Sequence, residues 1–190
     1  MTQRILIING HPDAESYGAA LVQAYAEGAA RHEIRQIHLH RLQFNPNLQY
    51  GYRRRTELEP DLLAAREAIL WAQHIVMIHP VWWGGLPALF KGFLDRTFLP
   101  GFAFKYRDNS VWWDKLLKGR TAHIICTLDQ PWWYYRLVNR RPAINQLKRM
   151  TLEFCGIKPV KVTGFGPVRN STPAQREKWL QKVKQLAERL

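Results

Sequence analysis

Cysteine is scarce in this chain, with two residues in 190. Cys126 and Cys155 lack CxxC spacing and lie in apolar surroundings, so neither a disulfide framework nor a thiolate metal site is supported. Two buried, inert thiols are expected. Acidic side chains are also few: 15 Asp+Glu stand against 28 Lys+Arg, a formal net charge of +13. Long apolar runs are missing, since no stretch approaches the ~20 consecutive apolar residues of a membrane-spanning helix. The run Ile5–Ile8 is too short for the core of a secretion signal and is followed at once by Asn9-Gly-His-Pro12; a cytoplasmic protein is expected. There is no GxGxxG fingerprint, Walker A loop, Gly-x-Ser-x-Gly elbow or HExxH helix. His32, His38, His40, His74, His79 and His123 have no compelling ligand spacing, and the two that would share a strand face, His38 and His40, are too few for a metal site.

The positive charge excess concentrates anions, which include phosphorylated cofactors, nucleic acid and acidic membrane. The basic residues are dispersed, however, through Arg53-Arg54-Arg55, Arg140-Arg141, Lys148-Arg149 and Lys178, Lys182 and Lys184. No nucleic-acid motif accompanies them. A solvated surface with some anion preference is the simpler reading. A nucleic-acid-binding module is the alternative, and it predicts steeply salt-dependent binding.

Five apolar runs suit strands of a parallel sheet covered on both faces: Arg4–Ile8, Glu33–Leu39, His74–His79, Thr121–Thr127 and Val160–Phe165. The second is mixed in character and belongs nearer an edge. Helical patterns lie between them over Tyr17–Arg31, Glu57–Gln73, Leu86–Phe98, Pro142–Phe154 and Pro173–Leu190. Ser16 and Thr172 are start signals, and Gly156 is a stop signal. Strand–helix alternation repeated five times predicts one α/β domain over residues 1–190: a flavodoxin-like, doubly wound parallel sheet of order 2-1-3-4-5. Its ligand crevice lies at the carboxyl ends of the first and third strands.

Two informative segments fall at those ends. Asn9-Gly-His-Pro-Asp-Ala-Glu-Ser-Tyr-Gly18 joins the first strand to a helix N-terminus, where backbone N–H groups favour a phosphate. There His11 and Ser16 are either phosphate donors or residues that close a turn and cap the helix. Pro80-Val-Trp-Trp-Gly-Gly85 leaves the third strand and can set backbone groups against the polar edge of a flat heterocycle, Gly84 and Gly85 allowing close approach; its bland reading is a core aromatic pair. Thr127-Leu-Asp-Gln-Pro-Trp-Trp-Tyr-Tyr135 leaves the fourth strand as a third wall, with Asp129 as a candidate turn residue. Three connections are long: His40–Thr56, Leu99–Gly119 and Leu128–Arg141. The last two carry Trp112-Trp113 and Trp132-Trp133, suited to a cofactor roof or a subunit interface. No nucleophile–base pair stands out. That suits a bound redox cofactor, which needs only binding and orientation from the protein.

With these residues in view, the chain resembles the flavodoxin-like NAD(P)H:quinone oxidoreductase family, which includes quinone reductases and the ancillary oxidoreductases of potassium-efflux systems. The resemblance runs from about Arg4 to about Val168. Its most diagnostic part is His79-Pro-Val-Trp-Trp-Gly-Gly-Leu-Pro-Ala-Leu-Phe-Lys-Gly-Phe-Leu-Asp-Arg96, supported by Asn9-Gly-His-Pro with Ser16-Tyr17, by Gly101-Phe-Ala-Phe104 and by Leu152-Glu-Phe-Cys-Gly156. It implies a flavin, FMN or FAD, with phosphates near His11, Ser16, Tyr17 and Gly18. The ring would lie against Val81, Trp82, Trp83 and Gly84, and against Thr127, Leu128, Asp129 and Gln130. It further implies NAD(P)H as donor, ping-pong transfer of two electrons to a quinone-like acceptor, and a homodimer with the site at its interface. Tyr135 matches a site tyrosine that would bond the reduced ring. A family histidine falls near Arg141, which implies that an arginine stabilises the anionic flavin. Thr127-Leu-Asp-Gln130 departs from the usual Thr-Thr-Gly-Gly, so larger side chains would crowd the ring. A regulatory subunit of a membrane transport system is a second expectation that fits the basic surface and tryptophan-rich loops.

Overall fold

The computed structural model describes residues 2–190. Its strands are β1 (Arg4–Asn9), β2 (Glu33–His38), β3 (His74–Pro80), β4 (Phe104–Tyr106), β5 (Trp113–Lys115), β6 (Thr121–Thr127) and β7 (Val160–Phe165). Five of them form a parallel sheet of order β2-β1-β3-β6-β7. With the separate β4–β5 hairpin set aside, that is the expected 2-1-3-4-5. β3 is buried at every position, whereas β2 is largely open, which accounts for its mixed composition as an edge strand.

Alternation along β1 divides the core in two. Ile5 and Ile7 pack towards α1 (Tyr17–Gly28) and α6 (Pro173–Glu188), while Leu6 and Ile8 pack towards α2 (Pro60–Trp71), α3 (Ala88–Thr97) and α5 (Pro142–Leu147). Each such side chain contributes about 1.5–3 kcal/mol of burial. α1 and α6 meet closely at Gly28, where a Cβ would strike the Lys184 backbone. Arg96 at the end of α3 is 1% exposed and fastens the long loop ahead of α2. Its guanidinium donates to the Glu59 carboxylate and the Glu57 carbonyl, both at 2.8 Å, and to the Asn45 carbonyl.

The long connections are more ordered than expected. Leu99–Gly119 contains the β4–β5 hairpin, and Leu128–Arg141 contains a short helix, α4 (Trp132–Leu137). Helix Glu57–Gln73 starts late because Glu59, preceding Pro60, is forced into extended backbone. The expected single helix Pro142–Phe154 is instead α5 followed by a π-helical segment over Lys148–Glu153. Thr151 Oγ1 donates to the Gln146 carbonyl five residues back, at 3.1 Å. His40 lies past the end of β2 in a tight turn, although its ring still meets that of His38 at 5.6 Å. Among the described residues no cluster of His, Cys, Asp and Glu is arranged to hold a metal, and no helix is long and apolar enough to cross a membrane. Cys126 and Cys155 are free and buried, with burial pushing both thiols up to about 12.

Candidate functional site

A cleft of about 260 Å³ opens at the carboxyl ends of β1, β3 and β6. His11, Ser16, Tyr17 and Gly18 line it from the first loop, Pro80, Val81 and Trp82 from the second, and Thr127, Leu128 and Asp129 from the third. Ten residues named from the sequence therefore share one cleft. Asp13 and Val168 also line it and were missed. Asp13 lay two residues past His11 in the same loop, and Val168 lies just past β7, whose carboxyl end faces the same way.

One end of the cleft is built for an anion. Ser16 caps α1, its Oγ accepting the Ala19 N–H at 3.3 Å. The first-turn N–H groups of Tyr17 and Gly18 have no intrahelical acceptor, as at any helix start. His11 Nδ1 accepts the Asp13 N–H at 3.0 Å, so the ring proton resides on Nε2, a free donor. Burial holds the His11 pKa below its ordinary value, so this donor is neutral at pH 7. Beneath the loop Asn9 is fully buried: its Oδ1 accepts the His11 N–H at 3.1 Å, and its Nδ2 finds no partner. Tyr17 donates its hydroxyl to the Arg176 carbonyl at 2.8 Å, joining the cleft wall to α6.

The other end is a tight turn over Trp82-Trp83-Gly84-Gly85. The Trp82 N–H donates to the Gly85 carbonyl at 3.2 Å and the Gly85 N–H to the Trp82 carbonyl at 2.8 Å. Both central residues have positive φ, 50° at Trp83 and 76° at Gly84, the pattern of a type I′ hairpin turn. For a tryptophan this backbone is strained by roughly 1–2 kcal/mol, a feature that concentrates at functional sites. The Val81 N–H is already committed to the Thr127 carbonyl at 2.8 Å. The N–H groups of Trp83 and Gly84 are thus the ones left without an acceptor among the described residues. Trp82 crosses the cleft to His11 edge-on, with ring centres 5.4 Å apart. Trp83 and Gly84 form the rim rather than the lining.

The remaining expected site residues fall in different places. Tyr135 is 0% exposed, and its hydroxyl accepts the Ala143 N–H at 3.1 Å. That same N–H reaches the Gly84 carbonyl at 2.9 Å. The expected bond from Tyr135 to a reduced flavin is therefore corrected: the phenol braces the turn from inside the core, and burial raises its pKa to about 12. Leu128 lines the cleft with its side chain almost wholly buried, and its N–H and carbonyl bond Phe165 and Val168 at 3.0 Å each. Asp129 is tied to Arg169, accepting its N–H at 2.8 Å with the guanidinium 3.7 Å away. The Gln130 side chain accepts from Asn139 Nδ2 at 3.2 Å, and Gln130 is not among the lining residues. Arg141 sits outside the lining with φ 54°, its N–H donating to the Tyr135 carbonyl at 3.1 Å.

A mononucleotide-like group fits this arrangement: unpaired donors at the helix end suit a phosphate, and free amides beside flat tryptophan suit the edge of a ring system. The sequence matches the family described as having a flavodoxin-like fold over residues 3–190. It is 28% identical over 171 residues to a Haemophilus influenzae protein named an uncharacterized NAD(P)H oxidoreductase, covering 86% of this chain and 83% of the relative. It is 25% identical over 194 residues to NAD(P)H dehydrogenase [quinone] 1 of Cavia porcellus, covering 86% and 70% respectively. The crystal structure of Smu.1420 from Streptococcus mutans UA159 superposes with a TM-score of 0.87 at 30% identity, covering 98% of this chain and 100% of the other.

Proposed function

The chain belongs to the family with the flavodoxin-like fold, and on that premise we propose that it is a flavin-dependent NAD(P)H oxidoreductase acting on a quinone-like acceptor. The observation that carries this reading is one cleft that joins the anion-binding end at Ser16–Gly18 to Pro80, Val81 and Trp82, with the Trp83–Gly84 turn at its rim. The relatives named as NAD(P)H oxidoreductases and quinone dehydrogenases support it. The flavin supplies the two-electron redox chemistry, which the side chains here lack.

The protein's own part is binding and orientation. Ser16, the neutral His11 and the amides of Tyr17 and Gly18 hold the phosphate. The free amides of Trp83 and Gly84 would serve the polar edge of the ring, and Pro80, Val81 and Trp82 would hold it in the cleft. Thr127, paired with Pro80 on the neighbouring strand, lines the cleft beside Val81. A single cleft at this position would serve donor and acceptor in turn, the basis for the proposed ping-pong order. Arg141, near the rim, favours an anionic form of the ring at that edge. A second copy of the chain is proposed to pair through the hairpin face, where Tyr106 and Met150 line one groove and Val111 and Trp112 are exposed.

The test is titration of the purified protein with FMN and with FAD, followed by tryptophan quenching and visible absorption. Saturable binding of either flavin that weakens at least ten-fold when Gly84 is replaced by Val supports the site. A protein that takes up neither flavin overturns the reading. Light scattering that finds only monomers overturns the dimer.

A further inference from the structure

One face beside the cleft combines exposed aromatic rings with cations that have no carboxylate partner. α4 turns Trp132 and Tyr135 inward, the Trp132 ring lying on Gly164 of β7. The helical period then leaves Trp133, Tyr134 and Leu137 on the outer side, 61%, 40% and 68% exposed, with Val138 next at 54%. Trp83 is fully exposed at the tip of its turn, which is joined to the same segment through Ala143. Between Asp129 and Glu153 the sequence has no Asp or Glu, yet it has Arg136, Arg140, Arg141, Lys148 and Arg149. Lys148 is near Glu153, whereas Arg136, Arg140 and Arg141 form no ion pair among the described residues.

We propose that this face docks the protein on an anionic phospholipid surface, with Trp83, Trp133 and Leu137 in the interfacial layer and Arg136 and Arg140 against the headgroups. Amphipathic rings at headgroup depth and cations facing anionic lipid are the two contributions that hold peripheral proteins. A second copy seated patch against patch is a poorer occupant, because that pairing would set this carboxylate-free cationic face against its own image. Nucleic acid is poorer too, because the aliphatic Leu137 and Val138 in the middle of the face have nothing to meet on a phosphate backbone. The docking claim goes beyond the redox reading. Only its consequence rests on that reading, namely that the cleft mouth would face the phase in which an apolar quinone dissolves.

The experiment is co-sedimentation and tryptophan emission with vesicles of phosphatidylcholine alone and of phosphatidylcholine mixed with phosphatidylglycerol. Binding to the mixed vesicles, with blue-shifted emission that reverses as salt rises, is expected. Arg136→Gln and Arg140→Gln should each lower the partition coefficient about five-fold. Trp133→Ala should lower it about ten-fold and remove part of the shift. All three positions are solvent-exposed, and unchanged melting temperatures check that the variants are folded. No binding to mixed vesicles at low ionic strength would overturn the proposal, as would equal binding to both vesicle types or variants that bind like the parent. Neither readout requires flavin or NAD(P)H. A protein that binds vesicles but no flavin would refute the redox reading and leave the docking intact.

Discussion

Lowering the pH from 7 to 5 should remove a large part of the stability of this protein, through histidines buried without charge. His74 lies between Thr121 Oγ1 at 2.6 Å from its Nδ1 and the Tyr25 hydroxyl at 3.3 Å from its Nε2. His123 Nε2 meets Thr163 Oγ1 at 2.9 Å, and His79 Nδ1 donates to the Pro80 carbonyl at 2.9 Å. Burial lowers all three to about 4 from an unfolded value of 6.5. Between those values the unfolded chain takes protons that the folded chain refuses, so stability falls as pH falls through that window. At pH 5 each of the three histidines then costs about 2 kcal/mol relative to pH 7, or about 6 kcal/mol together, against a typical total of ~5–15. Glu59 is held below its usual range because the Asn45 N–H and Arg96 outweigh its partial desolvation. Its contribution is lost only below about 4.5 and does not confuse the window. Urea midpoints at pH 7, 6 and 5 at fixed ionic strength measure the slope. His123→Gln and His74→Gln should each flatten it by nearly one proton. A midpoint that does not move between pH 7 and 5, or variants with the parent's slope, would refute this account.

Ser16→Ala removes the α1 cap, and about 1 kcal/mol of stability should go with it. Flavin affinity should fall about ten-fold with the lost hydroxyl donor, measured by quenching titration. Arg96→Leu should cost about 3–5 kcal/mol in chemical denaturation, since it leaves Glu59 and two carbonyls without their buried cation. A loss under about 1 kcal/mol would show that the loop does not depend on it. Tyr135→Phe should lower stability by about 1 kcal/mol and leave turnover within about two-fold. A hundred-fold fall in turnover would instead put the phenol at the reacting atoms.

The central strands were legible because burial on both faces leaves an unbroken apolar run, as in Ile75-Val-Met-Ile78. Once their order followed, the two loops had to converge, and with them His11, Ser16, Trp82 and Thr127. The hairpin was not legible: its strands have three residues each, and its Arg107–Asp114 pair is exposed. α4 has six residues and no side-chain cap, so tertiary packing of Trp132 on Gly164 forms it rather than local signals. Tyr135 was misjudged for the same reason. Placed in a loop it has no defined side, whereas three residues after Trp132 on a helix it faces inward. Asn9 was passed over because an asparagine at a strand end gives no sign that it will be buried.

Anaerobic mixing of the flavin-loaded protein with NADPH, followed by addition of a quinone, tests the central claim most directly. Loss of the flavin absorption on NADPH addition and its return with one equivalent of quinone is the predicted result. Flavin that binds but stays oxidised in excess NADPH and NADH would contradict the assignment of this cleft to an NAD(P)H oxidoreductase.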